Sequence, residues 1–106
     1  MAALGKASAD DTPARDDKAL ELRIKGRSFV AIAKTLGYER ANQANEAFNR
    51  ALRRKPAAEQ KELRGQELSR LDAMADGVKA TEGLQPKDVD RRLRTVERLR
   101  AMLLAD

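Results

Sequence analysis

Apolar residues recur at three- and four-residue steps along almost the whole chain, and the pattern breaks only around Gly26, Gly37, Pro56 and the stretch from Thr81 to Pro86. This spacing lines one side of an α-helix, whereas a strand needs a period of two. Helix-forming residues dominate between the apolar ones and β-branched residues are few, which does not fit a β-sandwich or a doubly wound sheet. The expected fold class is all-α. Alanine accounts for 19 of the apolar side chains and leaves 25 larger ones, of which only Phe29, Tyr38 and Phe48 are aromatic. So thin a core in 106 residues suits one domain, or one small domain with an appendage.

What the chain lacks narrows its chemistry. It contains no His and no Cys, which removes the Ser-His-Asp triad, the thiol nucleophile and the usual nitrogen and sulfur ligands of zinc. A non-enzymatic protein is expected, with no metal, no cofactor and no small-molecule substrate. The carboxylate pairs Asp10-Asp11 and Asp16-Asp17 diverge on a helix and have no third ligand nearby. Favourable charge at a helix start accounts for them better than a hard cation does. No apolar run is long enough to span a bilayer, and residues 1–10 lack the apolar core of a signal peptide. A soluble, cytoplasmic protein without a membrane partner is the expectation, and the absence of cysteine is consistent with a reducing compartment.

Residues 1–11 are small and patternless, and a disordered tail is expected there. Thr12 as cap and Pro13 as first helical residue open a helix over about residues 13–25, with Ala19, Leu20, Leu22 and Ile24 on its buried side and Gly26 following in a left-handed conformation. Ser28 caps a second helix whose face is Phe29, Ile32, Ala33 and Leu36, and Gly37 ends it. A third helix carries the stripe Ala41, Ala44, Ala47, Phe48, Ala51 and Leu52 and stops at Pro56. Beyond it, Leu68, Leu71, Ala75 and Val78 are spaced 3, 4 and 3 residues apart, a narrow seam of the coiled-coil kind. A last helix opened by Pro86 answers with Val89, Leu93, Val96, Leu99 and Leu103. The expected organisation is a three-helix helix-turn-helix domain over residues 12–55 followed by an antiparallel helical hairpin over residues 57–104.

Charge is partitioned between these parts. Residues 1–55 hold 12 basic and 7 acidic side chains and residues 56–106 hold 10 of each, so the whole +5 excess falls in the first half. The binding surface is expected there, and the alternating charges of the second half read as solvated faces laced with pairs at helical spacing. A short helix, a glycine turn and an amphipathic helix match the arrangement in which the second helix, here about residues 40–55, enters the major groove. Opposite the Ala44, Phe48, Ala51 stripe, the sequence places Asn42, Gln43, Asn45, Glu46, Asn49, Arg50 and Arg53. Asn and Gln can pair with the N7 and N6 edge of adenine, Arg can fork onto guanine, and Glu can accept from cytosine N4. Lys25, Arg27, Arg53, Arg54 and Lys55 are expected at phosphates, and Arg40 completes the DNA-binding set. Three asparagines in one helix cost about half a kcal/mol each relative to alanine, a cost that function would explain. The alternative is a polar face that merely meets water.

The run ALELRIKGRSFVAIAKTLGYERANQANEAFNRAL resembles the N-terminal helix-turn-helix of small terminase subunits and related phage or prophage proteins, through Leu22, Gly26, Phe29, Ile32, Ala33, Leu36, Gly37 and Tyr38. Downstream, ELSRLDAM and VDRRLRTVERLRAMLL resemble that family's acidic-leucine helix and its arginine-rich closing helix, so the resemblance spans roughly residues 14–104. It implies DNA recognition. The spacing from Gly37 to Ala44 is about one residue longer than the commonest helix-turn-helix pattern, and the family generally continues into a segment that engages the large motor subunit. A regulatory or recombination role therefore stands beside packaging.

One such module buries little surface, so a homo-oligomer on double-stranded DNA is expected, held together through Leu68, Leu71, Ala75, Val78, Val89, Leu93, Val96, Leu99 and Leu103. The alternative of another class is a protein-interaction adaptor that docks a phage or host enzyme, with DNA binding incidental.

Overall fold

The computed structural model describes residues 11–105, so the tail expected over residues 1–11 lies outside them apart from Asp11. The described residues form five α-helices and no strand: α1 Asp11–Ile24, α2 Phe29–Leu36, α3 Ala41–Arg53, α4 Ala57–Ala80 and α5 Pro86–Leu104. They divide into two compact units between Lys55 and Pro56.

Each boundary has a local cause. α1 begins earlier than expected, which puts Thr12 and Pro13 in its first turn, where the missing proline N–H removes no helical hydrogen bond. Ser28 Oγ accepts from the Ala31 N–H at 3.1 Å and caps α2. Gly37 follows α2 at φ +80°, and the Tyr38 N–H returns to the Ala33 carbonyl at 2.8 Å, closing the last turn. Pro56 sits between α3 and α4, and Pro86 opens α5 with Asp88 in the first turn.

In the first unit α3 packs on both α1 and α2, and α1 also touches α2. Ala44, Ala47 and Ala51 have no exposed surface, and side chains this short let neighbouring helices approach α3 closely. Ala19, Leu20, Ile32, Ala33 and Leu52 fill the space around them. Phe29 and Phe48 meet edge to face with ring centroids 5.6 Å apart. Arg23, only 3% exposed, lays its guanidinium 4.0 Å from the Phe29 centroid and donates from Nη1 to the Arg27 carbonyl at 3.0 Å. A charged residue thus helps to roof the aromatic pair.

In the second unit α4 and α5 pack together. Arg64 Nε donates to the Leu103 carbonyl at 3.1 Å and Arg100 Nη2 donates to Asp72 Oδ1 at 2.7 Å, so the early part of α4 lies beside the late part of α5. Leu71, Val96 and Leu103 are buried, whereas Leu68, Ala75, Val78, Val89, Leu93 and Leu99 are only partly covered. A groove of about 430 Å³, bordered by Met74, Val78, Thr95 and Val96, opens between the helices.

Candidate nucleic-acid interface

Two consecutive residues of α1 hold the end of α2 and the end of α3. Arg15 donates from Nε and Nη2 to the Leu36 carbonyl at 3.1 and 2.9 Å, satisfying an end carbonyl of α2. Its guanidinium also lies 4.2 Å from the centroid of the Tyr38 ring, in the turn. Burial is the main cause that pushes the Tyr38 phenol above its ordinary value, with the Arg15 charge opposing it.

Asp16 is 1% exposed and receives Arg50 side-on: Nε donates to Oδ2 at 2.9 Å and Nη2 to Oδ1 at 3.0 Å. Arg54 Nη1 reaches the same Oδ2 at 3.3 Å, while its Nη2 donates to the Pro13 carbonyl and to Asp17 Oδ1. The hydrogen bond to Asp16 holds the Arg50 guanidinium above its ordinary value, so its charge is secure. Asp16 therefore does more than favour a helix start: it ties the beginning of α1 to the end of α3.

The face of α3 expected to read bases is narrower than its polar residues suggested. Asn45 and Asn49 are 7% and 1% exposed, and Asn49 Nδ2 donates to the Asn45 carbonyl at 2.9 Å and to its Oδ1 at 3.0 Å. Both are interior residues and correct the expectation that they face DNA. At 100° per residue, the exposed Asn42, Gln43, Glu46, Arg50 and Arg53 share an arc of about 100°. Gln43 Oε1 accepts from the Glu39 and Arg40 N–H groups at 2.8 and 3.1 Å, which secures the helix entry. Gln43 stays exposed, with its one side-chain acceptor engaged at the helix entry. Arg54, expected at phosphate, also ties the end of α3 to Asp16, Asp17 and Pro13 while 43% of its side chain stays exposed.

Of the remaining basic residues, Lys25 and Arg27 are exposed around the α1–α2 turn, Arg40 is exposed at the entry to α3, and Lys55 is half-buried beyond its end. The structure thus brings together Asn42, Glu46, Arg50 and Arg53 on one solvent-facing strip and separates Asn45 and Asn49 from it.

Sequence reasoning passed over Arg15 and Arg23 and gave Asp16 only a helix-start role. The signal for two of them was present: Asp16 and Arg23 share a helical face with Ala19 and Leu20, at steps of three and four, and all four are buried. Polar identity concealed a spacing that aliphatic residues would have made plain.

No protein-family model matches the chain, and no match was found among curated proteins or solved structures.

Proposed function

We propose that this chain is a non-enzymatic, sequence-selective DNA-binding protein of the phage small-terminase or regulator kind, acting in the cytoplasm. In this reading the first unit is a helix-turn-helix domain that lays α3 in the major groove, and the second is an antiparallel hairpin through which copies associate. The observation that carries it is the state of Arg50. Asp16 occupies the Nε and Nη2 edge of the guanidinium, and 45% of the Arg50 side chain stays exposed. The Nη1 donors and the second N–H of Nη2 remain for another acceptor, with the guanidinium held in place by a buried carboxylate. A guanidinium fixed in advance loses little entropy on meeting guanine O6 and N7 or a phosphate. Asn42 and Glu46, on the same strip, supply the donor and acceptor types that a base edge answers.

The test is selection of bound duplexes from a random pool, followed by Asn42→Ala and Glu46→Ala on the selected site. Each substitution is expected to lose about 1 to 3 kcal/mol on that site and little on random duplex. Both residues are exposed, so folding should be unaffected. A pool that yields no consensus, or variants that bind the site as wild type does, would remove base reading by this strip.

A further inference from the structure

The charges of the second unit balance in number but not in place. α4 carries four basic and five acidic residues, whereas α5 carries six and three. On α5, Lys87, Arg91, Arg94 and Arg98 are all exposed, and at 100° per residue they fall within about 60° of one another, opposite the buried Val96 and Leu103. No carboxylate lies inside that arc: Asp90 and Glu97 stand along one border and Asp88 along the other. Arg91 pairs with Asp88 at 3.2 Å while 65% of its own side chain stays exposed. Arg94 and Arg98 reach no carboxylate among the described residues.

We propose that this stripe is a second phosphate-binding surface for duplex DNA, separate from α3 and indifferent to base sequence. This rests on the reading that the chain binds duplex DNA. Steps of four, three and four residues set the cations about 4.5 to 6 Å apart along the axis, a straight run of about 16 Å. One strand of a duplex presents about five phosphates over that length. Three of the four side chains are guanidiniums, which match phosphate oxygens two at a time. The surroundings argue against other polyanions. α5 has no aromatic residue on which unpaired bases could stack. The stripe itself holds no apolar residue, and Val96 and Leu103 on the opposite side are buried, so the cations do not border an apolar face that could sink into an anionic membrane.

The experiment uses the full chain and a 30-base-pair duplex of arbitrary sequence, with affinity followed across salt concentration. Arg94→Gln with Arg98→Gln should reduce the slope of log affinity against log salt by about two and weaken binding at 0.15 M salt by about 25-fold, about fivefold per lost contact. Lys61→Gln with Lys79→Gln removes the same charge from exposed positions of α4 and should leave affinity within about twofold. Matching circular dichroism spectra would confirm that all three proteins are folded. Equal weakening in the α4 pair would show a bulk-charge effect and overturn the stripe. Wild type that binds while the α5 variant keeps its slope and affinity overturns the stripe alone. A wild type that does not bind the duplex at all removes the DNA reading itself. Loss of binding to phosphatidylglycerol vesicles, with duplex binding intact, would assign the stripe to membranes instead and so also overturn the proposal.

Discussion

Asn49 is 1% exposed and donates two hydrogen bonds to Asn45, so its amide belongs to the core of the first unit. Asn49→Ala should cost about 1 to 3 kcal/mol in urea unfolding, because it leaves the Asn45 side-chain acceptor without that donor. The ratio of selected-site to random-site affinity should stay the same, the opposite of what a base-reading asparagine would give. On a helical wheel Asn45 and Asn49 lie along one border of the apolar stripe, and an alanine-lined face draws its neighbours close enough to cover that border. That widening depends on tertiary packing, so the stripe could be read from the sequence while its border could not. Tyr38 offers a second check at this scale, since it is the only tyrosine and there is no tryptophan. Its phenolate absorbance should appear with a midpoint above the ordinary value of about 10 and fall back to it in denaturant. The folded site favours the protonated phenol, so the corresponding stability is complete below the ordinary value and is lost as pH rises through the raised one.

Among the helices, periodicity, caps and breakers were legible because each acts within a few residues. Ser28, Gly37, Pro56 and Pro86 mark boundaries that the structure keeps. The start of α1 was the exception, for Thr12 offered a cap one residue inside the helix that formed. Two glycines should respond to substitution with opposite sign. Gly37 sits at φ +80°, a conformation costly to any residue with a Cβ, although the nearest atom to that Cβ would be a comfortable 3.7 Å away. Gly37→Ala should therefore destabilise by about 1 to 2 kcal/mol through backbone strain alone. Gly65 lies inside α4 with open space where a Cβ would go. Gly65→Ala should stabilise by about 0.5 to 1 kcal/mol, read as a rise in the unfolding midpoint of the second unit.

At the scale of the whole molecule, the hairpin keeps apolar area that its own two helices do not cover. Leu71, Val96 and Leu103 are already enclosed within the chain and have nothing left to offer a partner. Leu68, Ala75, Val78, Val89, Leu93 and Leu99 keep accessible area, and Met74, 41% exposed, borders the groove beside Val78. If copies associate through this surface, Met74→Glu should yield a folded species of 11.7 kDa in light scattering, while wild type at the same micromolar concentration scatters as a multiple of that mass. Leu71→Asp should instead unfold the hairpin, as a carboxylate would take the place of a side chain with no exposed surface. A wild type at 11.7 kDa would leave the hairpin monomeric. The contact between Asp16 and Arg50 has a consequence for how the chain comes into being. The carboxylate is synthesised 34 residues before its first guanidinium partner and 38 before the second, a delay of a few seconds on a ribosome that adds about 5 to 20 residues each second. Until Arg50 and Arg54 emerge, burying Asp16 would strand a charge. A chain cut short before Arg50 should therefore leave Asp16 in water and fail to assemble the first unit, which circular dichroism of that fragment would check.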